Sequence, residues 1–344
     1  MEVAASDTPV WFMPGSEGLL SPFMPWLQDK KVSEILVNRP HEVFVEKHGI
    51  MTRFELPTMT GLHLRRLFTF IANENGQELN EVRPLLSGNL YDGSRVQLVI
   101  PPASQNFTLS IRRKSMRQLT LAGYSETPFF ESATAFRLSE RNTDFQESSE
   151  KDLRDLYQQR QWAAFIAQAI ALKKNIVVSG GTSSGKTTFL NACIQEIPKD
   201  ERIITLEDTF ELEPPHLNSV RLLAPKKISH TESGVCMQDL VQCALRLRPD
   251  RLLMGEIRGK EILDFVSACA TGHEGSLTSI HANNPQIAFM RMVQLYKLNN
   301  VPSMRDEAIL QELQSVIDII VQLKKTEAGR VVSSVYYKDA EVMA

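Results

Sequence analysis

With 344 residues the chain is long enough for about two domains, each able to bury its own core. Charged residues make up 23% and hydrophobic ones 42%, ordinary for a globular protein, and the formal net charge of −3 gives no global basic field for nonspecific nucleic-acid binding. No run approaches the ~18 apolar residues that span a bilayer, and an N-terminus carrying Glu2 and Asp7 does not read as a secretory signal.

The segment from Val10 to Leu27 holds Trp11, Phe12, Phe23 and Trp26 among several prolines. The prolines argue against an amphipathic helix, so the segment is expected to pack along its own domain rather than dock elsewhere. From Val32 to Phe54 the chain reads as short strands: SEILVN, a polar break at Arg39-Pro40, then EVFVEKHGIMTRF turning at Gly49. Leu64, Leu67, Phe68 and Ile71 recur at helical spacing. NLYDGSRVQLVIPPA and NFTLSIRRKS follow, with Asp92-Gly93 as a hairpin signal. Residues 1–115 therefore read as an α+β domain on a mainly antiparallel sheet. Its last strand ends in Arg112 and Arg113; taken alone, these are a solvated strand end.

Residues 116–159 are polar and weakly periodic, an interdomain linker by composition. Trp162, Phe165, Ile166, Ala169 and Ile170 then begin a domain, 160–344, in which strands and helices alternate as in α/β folds. Its first strand runs into NIVVSGGTSSGKTTFL, residues 175–190, where Gly180, Gly185, Lys186 and Thr187 satisfy G-x-x-x-x-G-K-[ST]. Small residues let successive N–H groups curl around a phosphate, and the following helix adds its positive end. The nine residues Gly180, Gly181, Thr182, Ser183, Ser184, Gly185, Lys186, Thr187 and Thr188 are thus expected to hold a nucleoside triphosphate, with Lys186 reaching its β- and γ-phosphates and Thr187 ligating Mg²⁺.

Further on, ERIITLED ends in Glu207-Asp208 with Glu211 nearby, and VRLLAP is a short strand. A helix carrying Met237, Leu240, Val241, Ala244 and Leu245 stops before Pro249. RLLMGEIRG delivers Glu256, a helix aligns Ile262, Phe265, Val266 and Cys269, and GSLTSIHAN ends at His281. One last helix precedes IDIIVQLKK and RVVSSVYY, a hairpin turning near Gly329. In open α/β sheets ligands sit at the carboxyl ends of strands, where the loop, Glu207-Asp208, Glu256 and His281 all fall. Glu256 is the first choice to orient an attacking water. Glu207 and Asp208 join Thr187 as metal-shell residues, and the roles of Glu207 and Glu256 are interchangeable. A neutral His281 at a strand end suits sensing of the γ-phosphate; His273 and His281 taken singly are as readily structural. The four cysteines, Cys193, Cys236, Cys243 and Cys269, form no C-x-x-C pair and read as reduced core thiols of a cytoplasmic protein.

These segments together resemble the secretion ATPase superfamily. ITLEDTFEL is similar to its aspartate box, RLRPDRLLMGEIRG to its Walker B region and ATGHEGSLTSIHANNP to its histidine box, in order after GGTSSGKTT. YDGSRVQLVIPPA with FTLSIRRKS resembles the N-terminal domain of the traffic ATPases of type IV secretion (the VirB-eleven type), with the tight-adherence pilus ATPases and, further off, a nucleic-acid translocase as alternatives. The resemblance implies a PAS-like N-terminal domain and a RecA-like P-loop domain. It implies a cytoplasmic Mg²⁺-dependent ATPase that forms a homohexamer peripheral to the inner membrane, working with the inner-membrane and coupling components of the secretion system and with its secretion substrate. It also implies that Arg112 and Arg113 approach the γ-phosphate, and that Arg246, Arg248 and Arg258 serve as phosphate or subunit contacts. The Walker B strand lacks the usual aspartate, leaving the metal's acidic partner unassigned.

Overall fold

The structure, a computed structural model, describes residues 17–113, 147–224, 234–301, 303–327 and 329–343. The chain divides into two compact units, Met1–Met116 with Val220–Arg248, and Arg117–Ser219 with Pro249–Ala344.

In the first unit, strands β1 (Val32–Val37), β2 (Glu42–Lys47), β3 (Ile50–Glu55), β4 (Leu85–Asn89), β5 (Arg95–Val99) and β6 (Thr108–Arg112) form one sheet of order β3-β2-β1-β6-β5-β4. Every pairing is antiparallel. The β2–β3 turn places His48 and Gly49 at positive φ, as a tight hairpin turn requires, and Gly93 does the same between β4 and β5. The short helices α1 (Glu17–Leu20) and α2 (Met24–Leu27) precede the sheet, and α3 (Gly61–Glu74) packs on it. Thr60 caps α3 by accepting from the His63 N–H, and Leu64, Leu67, Phe68 and Ile71 point into the core, each worth ~1.5–3 kcal/mol of burial. Phe23 is buried in that core and Trp26 packs on Phe54 with ring centroids 5.4 Å apart. That is the expected packing for residues 17–27; Trp11 and Phe12 lie outside the described residues.

In the second unit, α4 (Glu147–Gln158) and α5 (Trp162–Ala171) lead into the sheet. α4 falls where the sequence reads as linker. Leu153, Leu156 and Tyr157 anchor it on the core, a spacing of three and four that its surrounding charges mask. Of that stretch, residues 116–146 lie outside the described residues. The strands are β7 (Ile176–Gly180), β8 (Ile203–Glu207), β10 (Arg251–Met254), β11 (Leu277–Ile280), β12 (Ile319–Thr326) and β13 (Gly329–Tyr337), in the order β13-β12-β7-β11-β10-β8. All neighbours are parallel except the β12–β13 hairpin. β9 (Ser219–Leu223) carries the chain out of this unit into the other, where α7 (Met237–Arg246) ends before Arg248 at positive φ.

α6 (Lys186–Gln195) follows β7, and α8 (Glu261–Ala270) follows β10. Two helices, not one, precede β12: α9 (Pro285–Lys297), capped by Asn284, and α10 (Asp306–Val316). The Asn299-Asn300 turn with Asn300 at positive φ divides them. Cys193, Cys243 and Cys269 are core thiols, each pushed up to about 12 chiefly by burial, whereas Cys236 is exposed at the start of α7, correcting the expectation of four buried thiols.

Candidate active site

Because β7, β11, β10 and β8 run parallel, their carboxyl ends share one edge of the sheet. β7 delivers Gly180 to that edge, β8 delivers Glu207 as its last residue, β10 stops two residues before Glu256, and β11 stops one before His281. His273 precedes β11 and so lies at the opposite, amino end of that strand.

The loop from Gly180 to Gly185 is shaped for close approach. A Cβ on Gly180 would run into the Ser184 hydroxyl and stand 3.1 Å from the Leu323 carbonyl. Gly185, at φ +92°, occupies the left-handed region that disfavours a side chain, whereas Gly181 faces open space. Ser184 Oγ is buried with no hydrogen-bond partner among the described residues. Lys186 begins α6 and its ammonium donates to the Gly180 carbonyl at 3.1 Å and the Gly181 carbonyl at 3.4 Å. A cation, an orphaned hydroxyl and the amino end of a ten-residue helix thus converge on one small-residue loop, a donor set that fits an anion such as a phosphate. Thr182, Ser183, Thr187 and Thr188 belong to the same turn and the first turn of α6.

The carboxylates divide into two kinds. Glu207 is buried: Oε1 accepts the N–H groups of Glu211 and Leu212, both at 2.7 Å, and Oε2 accepts the Thr205 hydroxyl at 3.1 Å. It therefore holds the segment after β8 in place. That segment presents Glu211, whose carboxylate accepts the Thr187 hydroxyl at 2.9 Å, while its carbonyl accepts from Asn191 at 2.8 Å. Glu211 is the functional candidate that strand-end reasoning passes over, since it lies four residues beyond β8. Thr187 and Glu211 supply the hard oxygen ligands a Mg²⁺ ion prefers, so the donor set fits that ion.

Asp208 and Glu256 form the second kind. Arg258 donates to both, to Asp208 in a close ion pair and to Glu256 Oε2 at 3.0 Å. The Arg258 pKa is raised, first by the hydrogen bond to Glu256, with burial acting against it. Gly255 sets the position of Glu256: its N–H donates to the Leu206 carbonyl at 3.0 Å and its carbonyl accepts the Ser279 hydroxyl at 2.7 Å.

The remaining arginines belong to the first unit. Arg112 has a largely exposed side chain, 3.6 Å from the Glu34 carboxylate. Arg113 is turned onto its own domain, donating to the Trp26 carbonyl at 3.2 Å and to that of Asp29. Arg246 is exposed in the last turn of α7, and Arg248 pairs with Glu46.

Comparison with known proteins places the chain in a family. The family described as Type II/IV secretion system protein matches residues 19–328. The type IV secretion system protein VirB11 of Brucella suis is 36% identical over 326 residues, covering 92% of this chain and 89% of the relative. The type IV secretion system protein PtlH of Bordetella pertussis is 34% identical, covering 92% and 93%. The crystal structure of the VirB11 ATPase from the Brucella suis type IV secretion system, in complex with sulphate, superposes with a TM-score of 0.85 at 34% identity, covering 95% of this chain and 99% of that one. The chain belongs to the type II/IV secretion system protein family, in its branch of type IV secretion ATPases.

Proposed function

We propose that the chain hydrolyses ATP on residues 180–188 and passes the resulting conformational work to a type IV secretion system. The observation that carries this is the convergence of Lys186, Thr187, Glu211, Asp208 and Glu256 at the carboxyl ends of β7, β8 and β10. The loop amides and Lys186 bind and orient the triphosphate. Thr187, with Glu211 and Asp208, would hold Mg²⁺, which when bound neutralises charge on the phosphates. Glu256 orients the attacking water, and Glu207 keeps Glu211 in position. His281, exposed at the end of β11, is the candidate to sense the γ-phosphate. Of Arg112, the last residue of β6, and Arg113, which follows it, exposed Arg112 suits a phosphate-directed role better than Arg113, whose guanidinium is engaged by carbonyls.

Type IV secretion relatives at 34–36% identity support this reading over a pilus motor. No helix among the described residues is long and apolar enough to cross a membrane, which is compatible with peripheral attachment to the inner membrane. The working form is proposed to be a homohexamer that engages the inner-membrane and coupling components and the secretion substrate. ATP turnover by the assembled protein tests the site: Lys186→Ala and Glu256→Gln should each lower kcat by at least ~10²-fold. Wild-type turnover by Lys186→Ala would sink the assignment. Stimulation of turnover by DNA would favour the translocase reading instead, and co-purification with secretion-system membrane components tests the partners.

A further inference from the structure

The phosphate-binding loop has a neighbour that no motif announces. β12 pairs in parallel with β7, with Leu323 opposite Gly180, and continues through Lys324–Thr326 past the point where β7 gives way to the loop. β13 returns from that tip with Arg330 opposite Lys325. The hairpin end therefore stands beside the loop, and Arg330 turns onto it. Its Nε–H donates to the Ser183 carbonyl at 3.1 Å. Its Cδ lies 2.9 Å from where a Cβ on Gly185 would stand, so the arginine stem rests on the Gly185 backbone.

Those two residues are the ones at which the loop bends into the left-handed region, Ser183 at φ +59° and Gly185 at φ +92°. For Ser183, which carries a side chain, that conformation costs ~1–2 kcal/mol and needs external support. The Ser183–Ser184 peptide is held from both sides. Arg330 takes its carbonyl, and its N–H makes a 3.3 Å bond to the Gly181 carbonyl. A trans peptide is rigid, so fixing the carbonyl fixes the plane. A nest of N–H groups that binds an anion depends on such planes being set in advance, because ordering them on binding would cost affinity.

We propose that Arg330 is a positioning residue for the phosphate-binding loop, holding it in its binding shape from the C-terminal hairpin and so setting the affinity for ATP. This rests on reading residues 180–188 as the triphosphate cradle. The role needs the hydrogen-bond donor and the stem; it does not need the charge to touch a phosphate. Arg330→Ala therefore weakens ATP binding about tenfold, since one hydrogen bond from a charged donor is lost. Arg330→Gln, with an uncharged N–H donor, recovers most of that loss.

The experiment is titration of the full-length protein with a fluorescent ATP analogue, together with amide exchange of the nucleotide-free protein. Arg330→Ala should weaken binding and speed exchange at Ser184 and Gly185 while exchange in β7 and β12 stays as in the wild type. Lys325→Ala, a neighbouring exposed cation, should change neither. Unchanged affinity in Arg330→Ala overturns the proposal. So does recovery by Arg330→Lys but not by Arg330→Gln, which would make the residue a direct cationic contact. Lys186→Ala separates the two levels: if it still binds ATP with wild-type affinity, the cradle reading itself fails, whereas loss there with no effect of Arg330→Ala removes only Arg330.

Discussion

The Thr187 hydroxyl donates to the Glu211 carboxylate at 2.9 Å, joining the first turn of α6 to the segment that follows β8. Thr187 is the residue whose hydroxyl the loop motif assigns to a metal ion, so Glu211 stands where an acidic partner of that ion is needed. Its backbone is secured independently: Asn191 donates to the Glu211 carbonyl at 2.8 Å and accepts the Glu213 N–H at 2.9 Å. A change of the side chain alone should then leave the segment in place. Glu211→Gln is expected to raise the Mg²⁺ concentration for half-maximal ATP turnover by ~10–100-fold, the usual cost of losing a supporting group at a metal site. Steady-state turnover across a Mg²⁺ titration measures it, and an unchanged midpoint would remove Glu211 from the metal's surroundings.

Glu207 makes a contrasting case. Its two oxygens receive two backbone N–H groups and a hydroxyl in a buried setting. Glu207→Ala would orphan the buried Leu212 N–H at ~1–3 kcal/mol and remove the acceptor of the Glu211 N–H, leaving Asn191 alone to hold the segment that presents Glu211 to Thr187. Glu207→Gln keeps a carbonyl acceptor for the backbone pair. Thermal unfolding should therefore show a large loss for the alanine variant and a small one for glutamine, with turnover following the same order. Equal loss of turnover in both, with glutamine fully stable, would instead indicate that the negative charge of Glu207 acts directly.

Much of this was legible from the chain. The loop is read from spacing because phosphate binding demands small residues, a lysine and a hydroxyl in one short segment. Glu207, Glu256 and His281 are read from strand ends because parallel strands gather those ends on one edge. α4 was hidden because its anchors, Leu153, Leu156 and Tyr157, are few among charged neighbours. The resemblance implies a phosphate or subunit contact for Arg258; that its guanidinium also bridges Asp208 and Glu256 depends on β8 and β10 lying side by side. Glu211 and Arg330 are beyond periodicity altogether. One depends on how Glu207 folds a loop, the other on how far β12 overruns β7. Such facts arise from register between distant segments, which a single sequence does not display.

His216 gives the fold a pH dependence whose sign can be worked out. The ring is buried, and its Nε2–H donates to the Pro198 carbonyl at 3.0 Å, as the neutral tautomer does. Burial, with Lys199 adding repulsion, lowers its pKa from 6.5. Between that lowered value and 6.5 the unfolded chain binds the proton and the folded one does not. Its contribution is therefore complete above pH 6.5 and is lost as pH falls through the folded value, at no more than ~1.4 kcal/mol per pH unit. Urea unfolding at pH 7.5 and pH 5.5 should show a smaller loss of stability in His216→Gln than in the wild type. An identical loss would assign the acid sensitivity to other groups.

Arg251, wholly buried at the start of β10, tests how far the second unit depends on one ion pair. Its Nε and Nη2 reach the two Glu201 oxygens at 2.6 and 3.0 Å, and Nη1 donates to the Ile170 carbonyl at 2.8 Å. A guanidinium out of water is tolerable only while that carboxylate and the Ile170 and Gly275 carbonyls, the latter at 3.4 Å, surround it. Glu201→Ala removes the countercharge and leaves the cation buried, at an expected cost of ~3–5 kcal/mol in urea unfolding. Lys297→Ala breaks a pair with Asp306 in which both side chains are well exposed, and should cost less than ~1 kcal/mol. The comparison separates burial from pairing. If the two variants lost equal stability, Arg251 would have to be reaching water in solution, and Glu201 would count for no more than a surface partner.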